Sequence, residues 1–125
     1  MVIFQKEFLF ILFSVVLNIL AQYLIKYSTS SQEPISGNFF EVTTGLFKLI
    51  ITPACFLGLS SAFLAAMFYI LALSKLPLSV AYPFTAFGFV AIVTVGVIFF
   101  NEPLTIAKIV GLTLIITGIG FILET

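Results

Sequence analysis

Four long apolar runs, Phe8–Ile25, Pro53–Leu73, Leu76–Phe100 and Ile106–Leu123, constrain this chain more than any other feature. As helices rising 1.5 Å per residue they would extend roughly 27, 31, 37 and 27 Å. A bilayer core is about 30 Å thick, so each run is long enough to cross, the third only with tilt or a bend. Continuous runs are not the alternating pattern of barrel strands, which excludes a transmembrane β-barrel. Only 8% of the residues are charged. A soluble domain carries about a quarter, so these charges could not cover a water-facing surface. The expected fold class is an all-α integral membrane protein: one four-helix membrane domain over 1–125, with spans at about 8–25, 53–73, 76–100 and 106–123.

The first run has Lys6 before it, as a signal peptide would. Its length, and Gln22 and Lys26 in place of a small-residue cleavage site, point to a retained helix. Lys75 and Pro77 mark one turn. Asn101-Glu102-Pro103 marks another, where proline suits the first turn of the following helix. Ser28–Asn38 is polar and turn-rich, and Phe39–Ile51 then becomes amphipathic. Glu41, Thr44 and Lys48 share one helical face; Phe39, Val42, Leu46 and Ile50 share another. Two readings stay open: an early start of the second span, or a short interfacial helix before Thr52-Pro53.

The five Lys and five Glu balance, with no Asp, Arg or His. No basic surface exists for phosphate neutralisation, so nucleic acid is not an expected partner. Cys55 stands alone, which removes internal disulfides and thiolate metal sites. Ser14, Ser60 and Ser61 have no base to activate them. No enzyme activity and no cofactor are expected.

The first run carries Ser14, Asn18, Gln22 and Lys26, each four residues from the next, hence on one helical stripe. Polar groups at membrane depth face the protein interior or an aqueous cavity. They can be interhelical glue or the wall of a substrate path. Lys26, near the helix end, can also snorkel to the headgroups. In the third run Pro83 removes a backbone hydrogen bond and bends the helix. Tyr82 and Thr85 lie beside that bend, and Gly88 is a second flexible point. Gly58, Ala62 and Ala66 form a small-residue stripe, and Gly111 and Gly118 are seven residues apart on the last run; such faces let helices approach closely.

These residues resemble the drug/metabolite transporter superfamily, near its small multidrug resistance branch and EamA-type modules. The turn into the third span, Leu76-Pro77-Leu78-Ser79-Val80-Ala81-Tyr82-Pro83, is similar, as is the acidic turn Asn101-Glu102-Pro103-Leu104-Thr105. The stretch from Gly111 to Ile119 is similar to that branch's dimerisation pattern, which implies Gly111 and Gly118 at a dimer interface. The resemblance implies a multi-pass protein of the bacterial inner membrane. Small multidrug exporters carry a membrane-embedded glutamate on the first helix, where this chain has Asn18, and a tryptophan on the third, where this chain has none. Ala21-Gln22, Tyr82-Pro83 and Glu102-Pro103 look more like the small subunits of the undecaprenyl-phosphate-aminoarabinose flippase. That implies a polyprenyl-phosphate-linked sugar moved between leaflets, in a membrane of lipids that hold its tail. On this reading the substrate path comprises Ser14, Asn18, Gln22, Lys26, Tyr82 and Thr85, the bend Pro83 and Gly88, and the turn or gate Glu102. The alternatives are an exporter of a small neutral metabolite or drug and a non-transporting structural subunit. A polyamine would want carboxylates in the path, and the four runs contain none. A helix-start role at the positive end of the last helix is the plainer reading of Glu102. Four helices with one polar stripe make half a cavity, so the other half is expected from an antiparallel homodimer or a similar small partner. Lys6 and Lys75 fall on one side of the membrane and Lys26, Lys48 and Lys108 on the other. That is too even a split for the positive-inside bias to fix orientation.

Overall fold

The computed structural model describes residues 2–124, with side chains from Gln5 onward. Six helices follow in order: α1 Val2–Ser30, α2 Phe39–Ile50, α3 Pro53–Leu73, α4 Leu78–Thr85, α5 Gly88–Phe99 and α6 Ile106–Glu124. Four helical segments are long and apolar enough to cross a membrane: Gln5–Ser30, Pro53–Leu73, Leu78–Phe99 (α4 and α5 together) and Ile106–Glu124.

The most extensive packing is between α1 and α3. Small residues make it possible. Ala21 is buried, as are Gly58, Ser61, Ala65 and Ala72 of α3. A Cβ on Gly58 would lie 2.9 Å from Ile25 Cγ1 and 3.1 Å from the Ala21 carbonyl oxygen. Two serines stitch the helices together. The Ser14 hydroxyl donates to the Ala65 carbonyl and the Ser61 hydroxyl to that of Leu17, each at 2.7 Å. The contact seam therefore follows Gly58, Ser61, Ala65 and Ala72, not the expected Gly58, Ala62, Ala66 stripe. Ala62 is half-buried and Ala66 exposed. At one end of the bundle Ile11, Ala72, Leu76 and Ala81 form a tight core, backed by Phe10, Val15, Tyr69, Leu73 and Phe84.

The amphipathic segment is a separate short helix, because both its ends carry stop signals. Asn38 and Glu41 form a capping box: the Glu41 amide donates to Asn38 Oδ1 at 2.9 Å and the Asn38 amide to Glu41 Oε2 at 3.3 Å. At the other end Thr52 is extended (φ −65°, ψ 144°) and Pro53 opens α3. Leu49 is the buried residue of α2, while Phe39, Val42 and Leu46 stay exposed. That leaves the apolar face free for the membrane interface.

The third span is interrupted between α4 and α5, three residues beyond Pro83. There the amides of Ala86 and Phe87 bond only three residues back, to the carbonyls of Pro83 and Phe84 (3.1 and 3.3 Å). Gly88 opens α5, and a Cβ there would make ordinary contact with Val15 at 3.5 Å. The helical break therefore falls at Ala86–Phe87, immediately before Gly88. After α5, Asn101 adopts a left-handed conformation (φ 52°), which Asn tolerates better than most residues. The chain reverses so that the Glu102 amide donates to the Gly96 carbonyl at 3.1 Å. Pro103 does not begin the last helix. Thr105 caps it, accepting from the Lys108 amide at 3.2 Å, and α6 starts at Ile106. α6 packs chiefly on α4, and Cβ atoms on Gly111 and Gly118 would meet nothing within 4 Å.

Because the Gly58 face is closed by backbone, Gly58→Val should destabilise the monomer by about 1–3 kcal/mol through overpacking. Thermal melting of the purified protein in detergent measures this. An unchanged melting temperature would place the α1–α3 contact elsewhere.

Candidate functional site: a polar groove along α1

The four-residue polar spacing of α1 drifts about 40° per step around the helix. Ser14 lies on the packing seam; Asn18, Gln22 and Lys26 rotate progressively away from α3. They turn into a groove. Its deeper part is an open-sided cleft of about 440 Å³, lined by Ser14, Asn18, Gln22, Tyr69, Tyr82 and Thr85 among apolar neighbours, Gly88 included. Its outer part, about 300 Å³, is lined by Gln22, Tyr23, Lys26, Gly96, Glu102 and Lys108. Ile19, Gln22 and Ile92 border both, so the two adjoin along α1 and α5. Asn18 lies about midway along the Gln5–Ser30 span; the outer part lies toward its Lys26 end.

The groove's hydrogen-bonding capacity is unevenly committed. Ser14 is occupied by Ala65, and the Thr85 hydroxyl donates to its own helix at Tyr82 O (2.6 Å). For Ser14 interhelical glue is thus the main role. Asn18 and Gln22 keep their amides free among the described residues, and Tyr82 is exposed to the cleft. Tyr69 is the residue that sequence reasoning missed here. Its hydroxyl is buried without a partner, although it borders the cleft. In sequence it is one aromatic within an apolar run, and nothing local distinguishes it.

A second missed residue is Glu7. Because α1 begins at Val2 and not at the apolar boundary, Glu7 lies inside the first candidate span. It is 2% exposed, with Oε1 3.4 Å from Lys75 Nζ and Oε2 buried without a partner. The expectation that the spans hold no carboxylate is corrected on this point. The groove itself has none in its deep part, since Glu7 lines neither cavity. The signal for Glu7 was present: Glu7, Ser14, Ala21 and Ser28 are all buried and seven residues apart, a heptad seam.

Glu102 is also relocated. It stands four residues before α6, away from the helix-start position expected of it. Its carboxylate folds over Gly96, where a Cβ would come within 2.6 Å of Oε2, and it faces the outer groove with Lys26 and Lys108. The site residues anticipated from sequence thus gather along one groove. The exceptions are Pro83, which shapes α4 from within, and Gly111 and Gly118, which lie on the open face of α6.

The Small Multidrug Resistance protein family matches residues 6–115, which takes in all four spans apart from the last turns of α6. The chain belongs to the small multidrug resistance family. It is accordingly a multi-pass protein of the bacterial inner membrane. One similar protein is "Multidrug resistance protein mmr" of Mycobacterium leprae, 35% identical over 101 residues, covering 78% of this chain and 90% of the relative. Another is "Probable 4-amino-4-deoxy-L-arabinose-phosphoundecaprenol flippase subunit ArnF" of Pseudomonas savastanoi pv. phaseolicola. It is 40% identical over 58 residues, 45% of this chain and 42% of the relative. No solved structure matches. Within this small multidrug resistance chain the mid-membrane position carries an amide, and the buried acid sits one end of the bundle away.

A buried carboxylate is costly unless paired, and removing its partner costs more than removing both charges. Lys75→Ala should therefore destabilise the protein more than the double variant Glu7→Gln/Lys75→Ala. The expected coupling from a double-mutant cycle of melting data is of the order of 1 kcal/mol. Additive effects would show the pair to be energetically idle.

Proposed function

We propose that this chain is half of a transporter that passes a polyprenyl-phosphate-linked sugar of the aminoarabinose kind between leaflets of the inner membrane. The observation that carries the reading is the chemistry of the deep cleft. Asn18, Gln22, Tyr69 and Tyr82 offer uncharged hydrogen-bonding groups, and among the described residues no charged side chain borders the cleft. Such a lining suits hydroxyl-rich headgroups and gives a lipophilic cation no counter-ion at membrane depth. The cleft is open-sided, so a polyprenyl tail can stay in the bilayer while the headgroup moves along the groove. The partial similarity to the flippase subunit of Pseudomonas savastanoi supports the same substrate class. The second reading, multidrug export, is favoured by the longer match to the Mycobacterium leprae protein. A carboxylate in the mid-membrane path would serve proton-coupled drug export, and Asn18 cannot titrate.

Deletion of the gene should change the glycolipid pool on one membrane face, seen by lipid analysis of each leaflet. Asn18→Ala and Lys26→Ala, expressed at wild-type level, should each slow restoration of that pool about tenfold, the worth of roughly one charge-assisted or buried hydrogen bond. An unaltered pool, or robust export of a quaternary ammonium drug down a pH gradient, would transfer the reading to multidrug export.

The second half of the path comes from another chain, an antiparallel homodimer or a heterodimer with a similar small protein. The deep cleft is bordered by α1, α3, α4 and α5 and open beyond them, and α6 presents Gly111 and Gly118 to open space. Cysteines placed along 111–118 should crosslink between chains in native membranes. A protein that stays monomeric in nanodiscs and still transports would refute the pairing.

A further inference from the structure

Three charged side chains border the outer groove, and among the described residues none is ion-paired with another. Lys26 comes from α1, Glu102 from the turn after α5 and Lys108 from the first turns of α6, and all three border one cavity of about 300 Å³. Among the described residues the ion pair is Glu7–Lys75 at the far end; Lys26 and the Glu102 carboxylate have no side-chain partner. Lys108 Nζ donates once, to the Pro103 carbonyl at 2.7 Å, which leaves two of its three donors. The Glu102 amide is tied to Gly96, and its carboxylate lies over the same glycine, where any larger residue would displace it. Lys108 is anchored by the backbone of the Pro103 turn. Tyr23 and Phe100, with ring centroids 5.7 Å apart, supply an aromatic flank.

A ligand that completes this arrangement carries one anion for two lysines and one cation for Glu102. The anion is better a phosphate than a carboxylate: ammonium groups act as point charges and can approach different non-bridging oxygens from two helices. The pocket reaches toward the Lys26 end of the α1 span, and basic pockets between membrane helices near the surface take headgroups. The cation fits a primary ammonium, which Glu102 can accept as a charge-assisted hydrogen bond beside the aromatic flank. We propose that the outer groove is a seat for a phosphodiester bearing a primary amine, with Lys26 and Lys108 on the phosphate and Glu102 reading the amine. Glu102 then separates amine-bearing lipids from their neutral congeners. Phosphatidylethanolamine and a polyprenyl-phosphate aminosugar both carry this chemistry; taking the second as transported substrate rests on the function proposed above.

Binding to the purified full chain in detergent micelles separates the possibilities. Native mass spectrometry would compare short-chain phosphatidylethanolamine, its N-acetylated derivative and phosphatidylglycerol. Wild type should hold the first about tenfold more tightly than the other two. Glu102→Gln, an isosteric change, should erase that preference and leave phosphatidylglycerol unchanged, whereas Lys26→Ala/Lys108→Ala should weaken all three. Equal binding of the three lipids by wild type, or equal weakening of all three by Glu102→Gln, overturns the inference. A parallel vesicle assay would follow flipping of a polyprenyl-phosphate aminosugar and its hydroxyl analogue. A Glu102-dependent preference in micelles without any flipping upholds the seat, assigns it to bilayer phosphatidylethanolamine and defeats the flippase reading. Equal flipping of both analogues alongside equal lipid binding defeats the seat and leaves the flippase reading standing.

Discussion

Within a bilayer, burying leucine against leucine gains little, because lipid tails are already apolar. Helices associate where backbones come close enough for dense packing and where a polar group finds a partner across the gap. The α1–α3 contact has both. Gly58 lets α3 settle against the Ala21 carbonyl, and Ser14 and Ser61 each reach a carbonyl of the opposite helix. That contact fixes the rotation of α1, and everything at the groove follows from the rotation. With Glu7, Ser14, Ala21 and Ser28 on the seam, Asn18 and Gln22 face the space bounded by α4 and α5. A turn of α1 by one residue would send those amides into lipid, where an unsatisfied polar group is expensive.

The distribution of charge follows depth. The deep groove is polar and neutral, and charges occur toward the two ends of the bundle. At one end Glu7 is held by Lys75, whose side chain is 63% exposed and brings hydration with it. At the other end Lys26, Glu102 and Lys108 border a single cavity unpaired. The mid-depth position of α1 carries an amide, Asn18, and the described acids lie toward the ends of the bundle, Glu7 buried there against Lys75.

Irregular backbone is confined to places where its polar groups are satisfied. The interruption at Ala86–Phe87 is bridged by bonds three residues back, and Ala86 and Gly88 both border the cleft. Non-helical backbone is tolerated at membrane depth where it lines a cavity. Of the four candidate spans α6 is the least engaged, and it leans on α4, so its open glycine face is available to a second chain.

The sequence by itself determined the solvent, the number of spans and the polar stripe, because run length and four-residue spacing are local properties that any helix must express. It also carried the capping box at Asn38 and Glu41, though periodicity alone did not separate α2 from α3. Tertiary structure decided the rest. Ser14 is glue while Asn18 is free, because only the choice of partner face for α1 distinguishes two residues on one stripe. Tyr69 belongs to the cleft, because α3 turns it toward α4. Glu7 is buried because hydropathy ends a run at the first charge, whereas the helix continues wherever a distant side chain such as Lys75 can meet that charge; Glu102 borders a cavity with two lysines because the turn after α5 folds it back over Gly96.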